Sequence, residues 1–585
     1  MERQYPIYTV DAECQDCYKC LRQCPVKAIR VEEGHARVAP EACVACGGCV
    51  AVCPARAKHI RNDLNRAKHL LTLQAPVYAS LAPSWVSEFP DVNAAQMIAA
   101  LRHLGFAGVG ETALGAQEVS SAVAAALSQH TPGIHISSAC PAVVSFVCKY
   151  LPEHAAAITH LHSPLLAHCR LLRQVYGDNI RTVFVGPCIA KKAEADTHPE
   201  LLDVALTFEE LQQWFTQQEI VPAAMQPDEA DVFVPEAAEE GALYPVEGGM
   251  IETINALGDF SHARFVSVAG IEAIGKTLKG LNTHHLDTPV FIEALACEGG
   301  CVGGPCASVE NALLGKRLQV EQRVAMPQHP LQRQPRVTIE EQYQAMPVAV
   351  ADHDPAQLRD ALMRVGKKKP EDELNCSGCG YNSCREFAAA MLENKAEPTM
   401  CVSYMRKLAH NKANALLRCM PSGVVIVNAE MRIIECNERF AQMFGEEVAM
   451  IYEACPGLNN CSLAKVLPFT DIFKNVLASN EEIHYDHYRY GDRLLNITVF
   501  SLEPHQVVGA VILDVTRQEL QRDQIAQRAQ EVIRRNLSTV QEIACMLGEH
   551  VADTEILLRS IAEGYTADDG RMPPRPPEKE KPHET

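Results

Sequence analysis

The chain has 585 residues, 47% of them hydrophobic, and a formal net charge of -20 at neutral pH. That length sets a prior of about four domains, and the acidity disfavours nucleic acid and anionic membrane surfaces as partners. The start, MERQYPIYTVDAEC, lacks a basic-then-apolar signal pattern. No apolar stretch approaches the roughly 20 residues of a membrane-spanning helix, so a soluble, cytoplasmic, multidomain protein is expected. Twenty-four cysteines in such a chain argue for metal ligands over disulfides.

The first elements are two copies of C-x2-C-x2-C-x3-C-P, CQDCYKCLRQCP at 14–25 and CVACGGCVAVCP at 43–54. This is the bacterial two-cluster ferredoxin run, in which the fourth cysteine of each copy ligates the other cluster. A ferredoxin-like domain over 1–62 then holds one 4Fe-4S cluster on Cys14, Cys17, Cys20 and Cys53, and a second on Cys43, Cys46, Cys49 and Cys24. Structural zinc is disfavoured, because it needs four thiolates and does not explain the repeated third cysteine and proline. Two clusters in series make an electron path to the next domain.

Residues 75–348 alternate short apolar runs (VYASLA, IHISSA, RTVFVGP, DVFVP, VFIEALA) with helical stretches such as Ala94 to Leu104 and Leu165 to Tyr176, which predicts an α/β domain with parallel strands. Three runs end in cysteine-bearing loops: ISSACPAVVSF with Cys140, FVGPCIAKKAEA with Cys188, and FIEALACEGGCVGGPC with Cys297 and Cys301. Thiolates suit soft metals and iron-sulfur clusters, and small neighbours let backbone amides reach the sulfurs. Four cysteines from three separated loops suit one closed site. Cys148 and Cys169 read as small core residues, while Cys306 stays open between packing and the site.

Together these loops resemble the three signature loops of the iron-only (FeFe) hydrogenases. The resemblance implies an H-cluster, with Cys140, Cys188 and Cys297 on a 4Fe-4S cubane and Cys301 bridging to a diiron subcluster with carbonyl and cyanide ligands. It also implies that Lys191 is a cation facing a cyanide, with Ser163 a second donor. The glycine-rich YPVEGGM around Gly248 and Gly249 resembles a family segment, or is simply a loop that needs positive φ. Departures point away from fast catalysis. Where the family carries a proton-donating cysteine stands Ala139, Gly186 replaces the methionine before the second loop, Leu295 replaces another, and no carboxylate stands at Ser121, Ala122 and Val123, where the acidic relay aligns. Loss of a positioned proton donor costs roughly a hundred- to ten-thousand-fold in rate. The pattern resembles the sensory branch of the family.

The segment from Val324 to Gly366, rich in Pro, Gln and charge, reads as a connector. Residues 349–411 combine linker and NCSGCGYNSCREFAAAMLENKAEPTMC, whose Cys376, Cys379, Cys384 and Cys401 resemble a small 4Fe-4S module of corrinoid iron-sulfur proteins and some sensory hydrogenases; zinc is the runner-up. Residues 412–516 order a helix, a strand, a turn at Asn428, a strand, a helix opened by Asn437, and a closing strand through Asp514 and Thr516, which resembles a PAS domain. His484 and His487 read as solvent-facing; Cys436, Cys455 and Cys461 read as packing or surface residues, Cys455 and Cys461 alternatively as redox-responsive. Residues 517–565 place Ile533, Leu537, Val540, Ala544, Leu547 and Val551 on a heptad stripe, for a coiled-coil dimer, a partner, or packing on the preceding domain. The tail 566–585 is Pro-rich and charged, hence expected to be disordered.

The expected function is a hydrogen or redox sensor on a hydrogenase scaffold, using H2 and protons, exchanging electrons with a carrier such as ferredoxin, and signalling to a partner that the resemblance makes a phosphatase or kinase. The rival readings are an active hydrogenase and an iron-sulfur scaffold without the diiron unit.

Overall fold

The computed structural model describes residues 4–281, 286–308, 311–324, 326–327, 329–349, 351–491, 493–516 and 530–537. They form two compact units divided between Cys401 and Val402, and the architecture is multidomain, α/β with α+β parts.

The first unit opens with two similar halves. Each cysteine run ends in a short helix, Lys19–Gln23 and Gly48–Val52, capped at its C-terminus by the fourth cysteine in extended backbone. Pro25 and Pro54 come next and cannot continue the helix. Strands Ile7–Thr9 and Lys58–Ile60 pair antiparallel, and Ile29–Glu32 with His35–Val38 make a hairpin. Buried charge locks the end of this domain to the α/β domain after it. Lys192 Nζ, fully buried, donates to Glu210 Oε2 at 2.7 Å and Asp63 Oδ2 at 3.2 Å, while Arg61 reaches Asp196 at 2.6 Å.

Residues 77–295 build two parallel sheets. One has the order Gly108–Glu111, Val77–Leu81, Arg181–Gly186, Val204–Thr207; the other Arg264–Ala269, Pro289–Leu295, Gly133–Ile136. The strands of the first sheet are buried almost throughout, as in parallel sheets covered on both faces, whereas Arg264–Ala269 at the edge of the second is only partly buried. Helix Ala94–His103 starts at Asn93, whose side chain accepts from the Gln96 amide while Gln96 answers the Asn93 backbone. Helix Pro164–Tyr176 starts at Ser163 with proline at its first position. Three of the predicted runs deliver cysteine loops at the carboxyl ends of parallel strands, where such sheets place ligands.

Two expectations fail here. DVFVP is irregular: Val234 N reaches Val109 O at 2.9 Å, but Pro235 has no amide to continue a ladder. The supposed connector is partly core. Val337 and Ile339 are buried among helix Thr112–Leu127 and Phe291, Arg336 Nε donates to the fully buried Glu118 at 2.6 Å, and Pro355–Arg364 is a helix capped by Asp354.

Helix Pro355–Arg364 packs on helix Cys384–Leu392 of the third cysteine stretch. That stretch lies against the N-terminal domain: Val31 N donates to Lys395 O at 3.3 Å, and a Cβ on Gly380 would meet Leu21 Cδ2 at 2.8 Å.

The second unit begins with helix Val402–Cys419, which is continuous through residue 412. Its five-stranded antiparallel sheet has the order Ile433–Cys436, Gly423–Asn428, Val507–Asp514, Arg493–Glu503, Ile483–Tyr490. Asn437 is buried and ties four backbone groups: its Oδ1 accepts from Val424 N and Phe440 N, and its Nδ2 donates to Ser422 O and Leu417 O. Residues 530–537, with Ile533 and Leu537, are mostly helical. Val540, Ala544, Leu547, Val551 and the 566–585 tail lie outside the described residues.

Candidate metal centre

Sheet topology converts three distant sequence positions into one site. Strand Gly133–Ile136 leads to Cys140, the N-cap of helix Pro141–Tyr150; strand Arg181–Gly186 leads to Cys188; strand Pro289–Leu295 leads to Cys297 and Cys301. All four cysteines line one cavity of about 410 Å³, and Cys46 of the N-terminal domain lines it too. A cleft of about 750 Å³ adjoins it, bordered by Ala139, Cys140, Cys188, Lys191, Glu293 and Cys301. Its remaining lining is mainly apolar, so water is poorly held there.

The thiols suit a metal cluster better than they suit one another. Burial pushes Cys188 up to about 11, and the charges of Cys188 and Cys140 add to burial in raising Cys301. Several thiolates cannot share an apolar cavity without a compensating cation, and an iron-sulfur core supplies one. Backbone amides of Ala190 and Lys191 lower Cys188 against that trend, which is the contact a cluster sulfur needs. Close packing also demands glycine. A Cβ on Gly304 would stand only 3.1 Å from Cys301 O, which the loop must give way to accommodate. Gly47, at φ +79, presses against Pro305 of the third loop and Ile189 of the second: a Cβ there would overlap the Pro305 ring and meet Ile189 Cδ1 at 2.7 Å.

Around the cleft the structure brings some expected residues together and adds others. Lys191 lines it, and Ser163 stands behind, accepting from Lys191 Nζ at 2.8 Å. Lys191 also pairs with Glu194 Oε2 at 2.7 Å, a partner unmarked in AKKAEA. Ala139 borders the cleft as expected, and no ionisable group replaces it on helix Thr112–Leu127, whose cleft residues are Thr112, Ala113 and Ala116. Instead the cleft holds Glu293, 1% exposed, which burial raises from 4.5 to about 7. Its Oε1 accepts from Met250 N at 3.2 Å, a contact set by the turn at Gly248, φ +90; Ser267 and the Gly248 amide lie near enough to offset burial in part, though among the described residues none reaches Oε2 in hydrogen-bond geometry. Ser84 Oγ is likewise buried and unpartnered at the cleft. Two orphaned polar atoms beside a cleft fit a ligand that carries polar groups. Glu293 escaped the sequence reading because it sits in an otherwise apolar strand.

The other cysteines also assemble. Cys49 feels Cys43, Cys24 and Cys46 as neighbouring charges, and Cys20 feels Cys17 and Cys53. Ala28 N and Ala45 N donate to Cys24 and Cys43 Sγ at 3.3 Å. Cys14 lies against Asp16 and His35. In the third stretch Cys379 feels Cys401 and Cys376, while Cys384 opens its helix with its amide on Asn375 Oδ1 at 2.8 Å. Cys148 and Cys169 are buried core, and Cys306 feels Cys188 but lines neither cavity. In the second unit His484 and His487 are exposed, Cys436 is buried, and Cys455 is exposed.

Comparison with known proteins agrees with this reading part by part. Residues 75–305 match the iron only hydrogenase large subunit, C-terminal domain; 6–54 match the 4Fe-4S dicluster domain; 372–403 match a putative Fe-S cluster family; and 411–473 match the PAS domain. Iron hydrogenase 1 of Clostridium pasteurianum is 26% identical over 42% of this chain and 51% of its own length. The NADP-reducing hydrogenase subunit HndD of Solidesulfovibrio fructosivorans is 28% identical over 48% of this chain and 59% of its own. The chain thus spans between half and three-fifths of these two relatives. A solved FeFe-hydrogenase from Chlamydomonas reinhardtii aligns over 49% of this chain and all of its own, at 18% identity and a TM-score of 0.39.

Proposed function

We propose, for a chain that carries an iron-only hydrogenase domain between iron-sulfur domains and ahead of a PAS domain, that it senses hydrogen or redox state and turns hydrogen over slowly. Cys140, Cys188 and Cys297 would hold the cubane and Cys301 would join it to the diiron unit. That group, when bound, supplies reversible splitting of hydrogen. The two ferredoxin-type sets, Cys14, Cys17, Cys20, Cys53 and Cys43, Cys46, Cys49, Cys24, and the set Cys376, Cys379, Cys384, Cys401 would hold three further 4Fe-4S clusters. Cys46 borders the cavity of the four hydrogenase-type cysteines, so electrons need no intervening carrier between the nearest pair of sites.

The observation that carries the sensor reading is Ala139 on the cleft wall. It has no proton to give where the family places a donor. Lys191, held by Ser163 and Glu194, would set its ammonium group beside the anionic ligands of the bound group in a dry cleft. Output runs through chain continuity: Cys401 is followed at once by helix Val402–Cys419, whose Leu417 carbonyl is held by Asn437 of the PAS sheet. A change at Cys401 that strains this helix biases the PAS domain and a protein partner, a phosphatase or kinase, provided the two states bind that partner differently. Self-association through the PAS domain or the helix after it belongs to the same reading, as does a cytoplasmic site.

A second reading, a working hydrogenase coupled to ferredoxin or another carrier, is favoured by Glu293, an ionisable group bordering the cleft. The deciding experiment is infrared spectroscopy of anaerobically matured protein under nitrogen and then hydrogen, with turnover assayed on the same sample. Carbonyl and cyanide bands that respond to hydrogen while turnover stays low support the sensor. High turnover makes it an enzyme, and no bands after maturation leaves an iron-sulfur scaffold.

A further inference from the structure

One cluster of metal-ligating side chains stands apart from every cysteine set. His162 lies just before Ser163, His198 caps the C-terminus of helix Ala190–Thr197, and Glu341 comes from the stretch that the sequence presents as a connector. One ligand atom from each lies within 4.8 Å of the others. We propose that His162, His198 and Glu341 bind a divalent transition-metal ion, zinc foremost, as a structural clamp on the hydrogenase domain.

Donor geometry carries the proposal. Glu341 Oε2 stands 2.8 Å from His162 Nδ1 and 3.4 Å from His198 Nε2. Ligands bound to one tetrahedral zinc at roughly 2.0–2.1 Å stand about 3.3 Å apart, so small shifts suffice. The imidazoles are nearly perpendicular, 89° with centroids 6.1 Å apart, which lets nitrogens converge without stacking. His198 Nδ1 faces Glu194 O at 3.3 Å and Thr197 Oγ1 at 2.9 Å. A proton held there on Nδ1 leaves Nε2 as a lone pair aimed at Glu341, and a ligating histidine is usually oriented in this way.

His162 supplies an independent observation. It is 3% exposed, and neither ring nitrogen has a hydrogen-bond partner among the described residues; the 2.8 Å approach of Glu341 lacks hydrogen-bond geometry. A buried imidazole with both nitrogens unmatched is costly, and a coordinated ion removes part of that cost. Arg170 is a cation acting on His162, and Glu341 brings the opposing charge. Glu341 is partly exposed, 23% at its side chain, which leaves water a route to a fourth position.

The backbone presets the site. His162 N donates to Ile339 O at 2.7 Å and Glu341 N to His160 O at 3.1 Å, so two ligand-bearing segments are already zipped together. The third ligand ends the helix that carries Lys191. An ion here fixes both partners of the Lys191–Ser163 hydrogen bond and pins residues 339–341 to the domain.

The test is zinc content and zinc K-edge X-ray absorption of the full chain with its iron-sulfur clusters reconstituted, given Zn2+ alone and then dialysed. About one zinc per chain with a nitrogen and oxygen shell near 2.0 Å is expected. In His198→Ala and in Glu341→Gln, both at partly exposed positions, zinc content should fall severalfold with iron content unchanged. The proposal is overturned by no retained zinc, by zinc surrounded by sulfur only, or by zinc that both variants keep in full. Should either variant lose iron, the wild-type absorption shell still decides.

Discussion

Ala139 and Glu293 face the same cleft with opposite capacities. If Ala139 limits turnover, Ala139→Cys should raise hydrogen production by about a hundred-fold or more, measured on matured protein with unchanged carbonyl bands; an unchanged rate removes the sensor reading's main support. Glu293 keeps its proton up to about pH 7 because burial penalises its charge, so proton reduction should fall as pH rises through 7. Glu293→Gln should flatten that profile. The same shift is linked to folding. A folded value raised above the ordinary 4.5 contributes stability that is present below 4.5 and lost as pH rises through 7. Above pH 7 the wild type therefore carries a penalty of about 3 kcal/mol that the Glu293→Gln variant would lack, visible as a smaller loss of melting temperature in the variant on going from pH 6 to 8.

At the scale of elements, buried polar groups fix the joints. Lys192 sits between Asp63, at the end of the N-terminal domain, and Glu210. Lys192→Met should destabilise the first unit by about 3–5 kcal/mol, because buried Glu210 loses its cation while Asp63 keeps Arg61 and Arg66; denaturant unfolding under anaerobic conditions measures it. Asn437→Ala should cost about 2–3 kcal/mol, since it removes a helix cap and leaves buried backbone groups unmatched, and should show as faster proteolysis within 423–514 at unchanged iron content. Legibility follows the same physics. Apolar runs closed by glycine and cysteine, such as RTVFVGPC, announce strand and ligand loop together, and Asn437 is readable as a cap because the helix starts beside it. Val232, Phe233 and Val234 have strand-like composition, yet Pro235 stops the ladder. Val337 and Ile339 are two apolar residues in a polar stretch, and the arginine pairs that seat them leave no periodic trace. His162, His198 and Glu341 carry no motif, because three loops from distant sequence meet only in the fold.

Across the whole molecule, the described parts form a series of cysteine sets. Cys46 borders the cavity of Cys140, Cys188, Cys297 and Cys301, while Tyr381, beside Cys379, feels Cys24 as a charge. The N-terminal domain thus stands between the hydrogenase-type site and the third cysteine set. The expectation is that Cys401→Ala leaves the infrared response to hydrogen intact while abolishing any hydrogen-dependent change in proteolysis of helix Val402–Cys419; a response that persists would mean that the signal bypasses this cluster.

Gly47 gives the domain seam the character of a keyed joint. The chain reads as a string of interchangeable cassettes, but at this seam the absence of a single methyl group sets how near two redox domains can stand. A chimera that replaces residues 1–62 with another ferredoxin should lose electron delivery wherever the substitute offers a side chain at that position, even with all eight cysteines preserved, and should recover it on a single change back to glycine. Such compatibility is a property of the pair of domains, and shuffling between proteins would preserve it only when both sides of the seam travel together.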